Sequence, residues 1–275
     1  VVGSVQTMTG EKRLKRFVPD YFDTIVVDEA HHAISPSYQR VLKHFENAKV
    51  LGVTATPDRG DMKNLGTYFD SLAYEYKLPQ AIKDGYLSKI EALTIPLNLD
   101  ISQVKQTAGD YSANQLGDAL EPYLEQIADE MTEQCQNRKP VVLLPLIKTA
   151  KEFTKLLQER GLTAAEVDGQ SDNREAILDD FASGKYQVLC NSMLLTEGWD
   201  CPEVDCIVVL RPTKVRSLYV QMVGRGTRIA NGKKNLLLLD FLWNTERHEL
   251  CHPANLITTD EEVAKKMTEQ QENND

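Results

Sequence analysis

Ile25-Val26-Val27-Asp28-Glu29-Ala30-His31-His32 is the stretch that decides the fold, because an apolar, β-branched run ends there in two acids. Such a run is typical of a strand that is buried in a parallel sheet. Ligands of α/β sheets bind at the carboxyl ends of the strands, so the sequence predicts that Asp28 and Glu29 lie at a binding site. Adjacent side chains on a strand point to opposite faces. Glu29 is therefore predicted to follow the end of the strand.

A second segment, Gln221-Met222-Val223-Gly224-Arg225-Gly226-Thr227-Arg228, supplies guanidinium groups late in the chain. Arg225 and Arg228 have a spacing that places two side chains on one face of a helix, with Gln221 one turn earlier. Arginine suits the charge that builds up on a transferring phosphoryl group. The acids and the arginines together predict part of a nucleoside triphosphatase.

Two more segments complete an ordered series: Thr54-Ala55-Thr56-Pro57, and Thr196-Glu197-Gly198-Trp199-Asp200 ahead of the arginines. In this order the four segments resemble motifs II, III, V and VI of superfamily 2 helicases, with the DEAH spelling of motif II. Residues 194–228 resemble the RadD-like and restriction-enzyme-like branch, which includes the type III restriction subunit. The resemblance extends from Ser4 to about Phe241.

The resemblance implies catalytic roles for six residues of motifs II and VI: Asp28, Glu29, His31, Gln221, Arg225 and Arg228. Asp28 would hold Mg²⁺, through water, and Glu29 would align and deprotonate the water that attacks the γ-phosphate of ATP. His31 would couple the nucleotide site to motif III, whereas His32 is equally well explained as a polar residue at a helix start. The arginine fingers would be Arg225 and Arg228, with Arg228 at the γ-phosphate; structural ion pairs are the alternative.

The same resemblance implies coupling and binding roles for other motif residues. Thr54 and Thr56 would relay the state of the γ-phosphate, or else are ordinary turn residues. Gly198 would permit a backbone conformation that lets Asp200 reach either the ribose or motif VI. Trp199 either stacks on bases or packs in the core, and the core is favoured. The nucleic-acid contacts would come from Thr7, Thr196, Lys214 and Arg216.

The net charge of −10 counts against a nucleic-acid partner, but the charge is unevenly distributed. Affinity for phosphate comes mainly from clustered lysine and arginine. No acid lies between Arg211 and Lys234, and a local basic face can coexist with an acidic whole. Ordinary solvated side chains are the alternative interpretation. The basic residues of this run are Arg211, Lys214, Arg216, Arg225, Arg228, Lys233 and Lys234.

Alternating strand and helix patterns predict an α/β fold with two RecA-like parallel-sheet lobes, the first of them incomplete. The predicted organisation is lobe 1 over residues 1–90, a linker or insertion over 91–120, lobe 2 over 121–245, and a polar tail over 246–275. The longest apolar runs are too short to span a bilayer. Five cysteines without a C-x-x-C pair favour a reducing compartment. The sequence thus predicts a cytoplasmic protein with no membrane partner.

A phosphate-binding P-loop, G-x-x-x-x-G-K-[ST], does not occur in the 275 residues. The chain begins with Val1, and Gly3–Thr7 resembles motif Ib, so the expectation is an amino-terminal truncation, with the missing segment or a partner polypeptide completing the site. The leading hypothesis is an ATP- and Mg²⁺-dependent DNA helicase or translocase. A catalytically silent nucleic-acid-binding module, an RNA helicase and a duplex-sensing ATPase are the alternatives.

Overall fold

The computed structural model describes residues 1–55, 65–66, 68–97, 101, 103–107, 110–192, 199–243, 253–258, 262–263 and 266–267. The chain divides into two compact units, Val1–Glu75 and Tyr76–Asp275. None of the helices in these described ranges is long and apolar enough to cross a membrane.

Unit 1 contains a pair of parallel strands, β1 (Thr24–Asp28) and β2 (Lys49–Val53). Their register pairs Asp28 with Val53, so both strands end at the same edge and Thr54 follows directly. The chain between them forms a 3₁₀ turn (Ala30–Ile34) and helix α3 (Pro36–His44), with proline at the first helical position. This arrangement brings motif II and the start of motif III together.

Close packing beneath the strand ends depends on Gly52. A β-carbon at that position would lie 2.6 Å from Phe69 Cζ and 2.9 Å from Ala30 Cβ, so a larger residue has no room. Val27, Ala30 and Ala33 are buried. The turn that contains the DEAH residues therefore packs closely against β2.

The first residues of unit 1 differ from the prediction. Gly3–Thr7 has the pattern of a strand, but Val5–Met8 forms a short helix, α1, and Glu11–Leu14 forms a second, α2. The Ser4 hydroxyl caps α1 by accepting a hydrogen bond from the Thr7 N–H at 3.3 Å. A serine at this position satisfies an otherwise unpaired amide, which favours the helix.

Unit 2 is built on a six-stranded parallel sheet with the order β3-β10-β9-β6-β8-β7. A two-residue antiparallel hairpin, β4 and β5, lies outside this sheet. Short 3₁₀ turns occupy Glu121–Tyr123 and Pro253–Leu256. The strands are β3 (Ile90–Leu97), β4 (Gln106–Thr107), β5 (Asp110–Tyr111), β6 (Pro140–Leu144), β7 (Ala164–Val167), β8 (Val188–Ser192), β9 (Cys206–Val209) and β10 (Leu236–Trp243). The helices are α4 (Leu78–Lys83), α5 (Ala113–Leu120), α6 (Leu124–Gln134), α7 (Ile147–Glu159), α8 (Arg174–Ala182) and α9 (Arg216–Gly224).

Helices cover both faces of this sheet, as the alternating pattern predicts. Val142 and Leu144 of β6 belong to one apolar cluster, with α5, α6 and α7. Val141 and Leu143 of the same strand belong to a second cluster, with α8 and α9. Because successive strand residues point to opposite faces, every residue of β6 is buried. The predicted α/β fold with parallel sheets is confirmed.

The domain boundaries differ from those predicted. The first unit ends at Glu75, not at residue 90, and the described residues of 91–120 belong to the second unit. Strand β3 pairs with β10 along its whole length, and Leu116 and Leu120 of α5 are fully buried. Strand β3 contains Pro96, and it lies at the end of the strand order, where a proline is tolerated. Part of the predicted polar tail is also packed, since Ala254 and Leu256 are buried.

Candidate functional site

The acids of motif II lie where β1 ends, as predicted. Asp28 is the last residue of the strand and is exposed. Glu29 has φ 49° and ψ 52°, the left-handed region that non-glycine residues rarely adopt. The Asp28 Oδ1 atom accepts a hydrogen bond from the Glu29 N–H at 2.9 Å. This backbone turn takes Glu29 out of the strand, so its side chain need not point opposite to that of Asp28.

His31 lies between the second acid and motif III. Its Nδ1 atom is 3.1 Å from Thr54 Oγ1 and 3.3 Å from Glu29 Oε2, and its side chain is 11% exposed. The distance to Glu29 is that of an ion pair, without the geometry of a hydrogen bond, and Glu29 Oε2 is shielded from solvent. A single ring nitrogen therefore contacts both groups.

His32 has a structural position. Its N–H donates to the Glu29 carbonyl at 2.9 Å, at the start of the 3₁₀ turn, and its exposed ring lies 4.0 Å from that of His31. His31 therefore contacts motif III, the position expected for a coupling residue. His32 lies at the start of the 3₁₀ turn, the position expected for a polar helix-start residue.

The arginines of motif VI are not on one helix face, which corrects the prediction. Helix α9 ends at Gly224, Arg225 is its C-cap, and Arg228 lies in the loop beyond. Hydrogen bonds from the Gly226 N–H to the Val223 carbonyl and from the Thr227 N–H to the Gly224 carbonyl tighten the chain into a turn. Bonds of this i→i+3 kind end the helix.

Both arginines nevertheless reach motif V. Arg225 Nη1 donates to the Trp199 carbonyl at 2.7 Å, and Arg228 Nε forms an ion pair with Asp200 Oδ1 at 2.9 Å. The side chains of Arg228 and Asp200 are 50% and 48% exposed. Of the two predicted partners for Asp200, this geometry corresponds to motif VI. Trp199 packs against the second apolar cluster, as favoured from the sequence.

The backbone of motif VI is held in three ways. The Ser88 N–H donates to the Thr227 carbonyl at 2.7 Å, and the Ser88 hydroxyl donates to the Arg228 carbonyl at 2.9 Å. A β-carbon at Gly226 would lie 2.5 Å from Leu236 Cδ1, so the loop packs directly on β10. Lys233 donates to carbonyls of the same loop.

Ser88 and Lys233 were missed by sequence reasoning. Ser88 lies far from motif VI along the chain and has no motif of its own. Lys233 was counted with the basic run, although burial lowers its pKa to about 8, and Gly232 with a φ of +80° marks the turn that places it. Gly232 followed by lysine is the sequence signal that could have indicated a turn at Lys233.

The predicted nucleic-acid residues have mixed positions. Thr7 is exposed on α1. The Lys214 N–H donates to Asp110 Oδ1 at 3.1 Å, and its ammonium lies 5.5 Å from the centre of the Tyr111 ring. Arg216 is the first residue of α9, and Gln221, in the same helix, is partly buried. Thr56, Thr196 and Gly198 lie outside the described residues.

Asp110 also faces Arg211, the first residue of the basic run. Burial lowers the pKa of Arg211, and the Asp110 charge opposes that shift. Thr213 Oγ1 donates to Asp110 Oδ2 at 2.8 Å. The β4–β5 hairpin is thus attached to the loop before α9, and part of the basic run has a structural role.

The acids of unit 1 suit a magnesium ion that arrives with a nucleotide. Among the residues described, no three His, Cys, Asp or Glu side chains are grouped as a metal site. Magnesium is usually held by one or two carboxylates together with substrate phosphates and water. Asp28, at the end of β1, supplies one such carboxylate.

Two protein-family models match the chain. Residues 1–59 match the type III restriction enzyme, res subunit, and residues 122–230 match the helicase conserved C-terminal domain. These matches contain motif II and motif VI respectively. With parallel sheets covered by helices, they define the chain as part of a RecA-like helicase core.

Individual relatives agree with the family models. The chain is 31% identical over 261 residues to the proposed ATP-dependent helicase IRC3 of Saccharomyces cerevisiae, covering 88% of this chain and 37% of that protein. It is 25% identical over 304 residues to the type I restriction enzyme EcoAI endonuclease subunit of Escherichia coli, covering 94% and 37%. A fragment of a proposed HsdR subunit of a type I restriction enzyme from Vibrio vulnificus superposes with a TM-score of 0.69 at 26% identity, covering 86% and 46%.

The chain belongs to the superfamily 2 helicases, and within them it combines a res-subunit segment with a helicase C-terminal domain. It spans less than half the length of the relatives described above.

Proposed function

We propose that this chain supplies the hydrolytic acids and the arginine finger of an ATP-dependent DNA helicase or translocase. The observation that carries the proposal is Glu29, which the left-handed backbone turns away from the strand and which His31 links to Thr54. Backbone strain of this kind concentrates at functional sites. A packing role does not explain an acid in this conformation.

Glu29 acts as the general base in this proposal. The Glu29 side chain is 36% exposed, so its carboxylate can accept the proton of a water aligned for attack on the γ-phosphate. His31 orients that carboxylate and, through Thr54, transmits its position to motif III. Asp28 would hold Mg²⁺, which neutralises charge on the phosphates of the nucleotide.

Arg228 acts as the finger. Exposed ion pairs contribute little free energy, about 0–1 kcal/mol, so Arg228 can leave Asp200 for a phosphate at small cost. Arg225 has a different role in this proposal, because its guanidinium is partly buried and donates to the Trp199 carbonyl. It fixes motif V relative to motif VI.

The nucleic acid is proposed to be DNA, with Thr7, Thr196, Lys214 and Arg216 as contacts. The names of the restriction-enzyme relatives support DNA, and RNA is the alternative. The phosphate-binding P-loop is proposed to come from a preceding segment or from another polypeptide, since these 275 residues contain none.

The test is ATP hydrolysis by a protein in which a segment with a P-loop precedes residue 1. We expect hydrolysis that DNA stimulates more than RNA. Glu29→Gln should leave ATP binding nearly unchanged and abolish most turnover, because the amide cannot accept the proton. Equal stimulation by RNA would contradict the DNA assignment, and unchanged turnover in Glu29→Gln would contradict the general base.

A second candidate function is a nucleic-acid-binding module without turnover, which the absence of a P-loop favours. This function predicts that the chain binds duplex nucleic acid with an affinity that is the same with and without nucleotide. Tight binding of this kind, together with no hydrolysis after the P-loop is supplied, would favour the second function over the first.

A further inference from the structure

We propose that Lys233 is the positioning residue of motif VI: its ammonium fixes the backbone of Arg228 against the segment that follows Asp200, and so sets the finger. The proposal rests on the function proposed above only in giving Arg228 its role at a phosphate. The sequence grouped Lys233 with the basic run that faces nucleic acid, and the structure turns it inward.

Lys233 Nζ lies within hydrogen-bond distance of four backbone carbonyls from two segments, which share its three N–H groups. In the motif VI loop it contacts the carbonyls of Gly226 at 2.6 Å and Arg228 at 2.7 Å. In the segment after motif V it contacts those of Val204 at 2.5 Å and Pro202 at 3.2 Å. One cation therefore joins the two segments that carry the Arg228–Asp200 ion pair.

The Arg228 carbonyl is held from two sides. It accepts hydrogen bonds from the Lys233 ammonium and from the Ser88 hydroxyl at 2.9 Å. The Ser88 N–H also donates to the neighbouring Thr227 carbonyl. With its carbonyl fixed in this way, Arg228 has a defined backbone position although its side chain is half exposed.

The local sequence explains why Lys233 points inward. The Lys233 N–H donates to the Ala230 carbonyl at 3.2 Å, which closes a turn, and Gly232 supplies the φ of +80° that the turn needs. The next residue, Lys234, is exposed. Adjacent lysines thus have opposite surroundings, which provides a matched control.

An ammonium group suits this position better than other donors. Its three N–H groups radiate from one atom, whereas the planar guanidinium of arginine directs its donors in a fork. Burial lowers the pKa of Lys233 to about 8, and the negative charges of Asp205 and Glu203 act in the opposite direction. The group therefore remains mostly charged at neutral pH.

The first experiment uses the 275-residue chain, without nucleotide. Lys233→Met, Lys234→Met and the unchanged chain are compared by amide hydrogen exchange and by the NMR signal of the Arg228 Nε–H. We expect Lys233→Met to speed exchange at Val204, Gly226 and Thr227 by about tenfold or more and to shift the Arg228 signal toward that of a free guanidinium. Lys234→Met should change neither.

The second experiment uses the protein supplied with a P-loop. Lys233→Met should lower kcat by about 10- to 100-fold, as expected for a misplaced catalytic group, with little change in KM for ATP or in the Kd for DNA. If Lys233→Met does not fold, Lys233→Arg and Ser88→Ala replace it, and both should give intermediate shifts of the Arg228 signal.

The outcomes separate this inference from the proposed function. An unchanged Arg228 signal in Lys233→Met would overturn the inference whether or not ATP is hydrolysed. Faster exchange with an unchanged Arg228 signal would make Lys233 an ordinary structural brace, which also overturns it. Loss of DNA affinity without the NMR changes would mean that Lys233 contacts nucleic acid as part of the basic run, which also overturns the inference. No hydrolysis by the unchanged protein, together with the expected NMR shift, would contradict only the proposed function.

Discussion

Glu29 combines a strained backbone with a shielded carboxylate oxygen. A non-glycine residue in the left-handed region costs on the order of 1 kcal/mol or more. The Asp28 carboxylate, the 3₁₀ turn and the packing at Gly52 hold that conformation. The fold therefore maintains strain at one acid of motif II, and the same turn brings that acid to His31.

Arg228 gives the first prediction at the residue scale. In a protein that hydrolyses ATP, Arg228→Ala should lower turnover by a factor of about 10³ or more, as for other arginine fingers, because charge on the phosphate loses its partner. Nucleotide-free DNA binding should barely change. Steady-state kinetics and a DNA titration measure the two effects.

The control for Arg228 is the double substitution of Lys214 and Arg216 by alanine. It should weaken DNA binding and reduce the slope of affinity against salt by up to about two contacts, with turnover at saturating DNA preserved. If Arg228→Ala weakens DNA binding as much as this pair while sparing turnover, Arg228 grips nucleic acid and is not the finger.

Asp240 gives a pH prediction. It is buried in β10, where burial raises its pKa to about 7, and Tyr219 Oη of α9 lies 3.4 Å from its Oδ2. A raised acid pKa means that the folded state binds more protons, so the free energy of unfolding falls as pH rises from about 4 to 7. Above pH 7, where Asp240 is ionised in the folded state as well, the free energy of unfolding is lower by about 1.4 kcal/mol for each unit by which folding raises the pKa of Asp240.

Asp240→Asn should remove this dependence, because the amide stays neutral. Urea unfolding of unit 2 between pH 5 and pH 8 should find the variant more stable than the unchanged chain at pH 8, with the difference shrinking toward pH 5. The exposed Asp172 provides the control, Asp172→Asn. A difference that does not vary with pH would contradict a titrating Asp240.

At the scale of elements, the end of α9 decides where the arginines lie. The helix stops because Gly226 must pack on β9 and β10, where a β-carbon would lie 2.8 Å from Ile207 Cγ1 and 2.5 Å from Leu236 Cδ1. A continued helix would carry Arg228 away from Asp200. The glycine is therefore required by close approach, since its φ is not positive.

Gly226→Ala is predicted to destabilise unit 2 by about 1–3 kcal/mol, the usual cost of overpacking. Gly224→Ala is the matched control, because a β-carbon there meets nothing within 4 Å. It should be neutral or stabilising by up to about 1 kcal/mol, since alanine favours a helix. Chemical denaturation measures both variants, and equal effects would show that the loop can move away from β10.

At the scale of the whole molecule, we predict that the 275-residue chain has negligible ATPase activity. The backbone amides and the lysine of a P-loop provide the main contacts to the triphosphate, and the sequence contains no such loop. An ATPase assay with and without DNA measures this. DNA-stimulated hydrolysis that Glu29→Gln abolishes in the same chain would contradict the prediction.

The sequence by itself determined the fold class, the order of the motifs and the placement of Glu29 beyond β1. Such features depend on local pattern: a continuous apolar run predicts a strand, and two adjacent acids cannot share one face of it. The predicted burial of that strand is wrong, because β1 lies in a two-stranded sheet where Val27 is its only buried residue. Most helix and strand positions in residues 121–245 follow from the same periodicity.

Only the tertiary structure decided which residues hold the site. The strand pairing of β3 with β10 places Ser88 beside motif VI, and the turn at Gly232 sends Lys233 inward while Lys234 stays exposed. Hydrogen bonds between residues distant in sequence leave no periodic signal, and a partly buried lysine has the same letter as a solvated one. For that reason the sequence predicts the acids and arginines of the proposed site but not the residues that contact and position them.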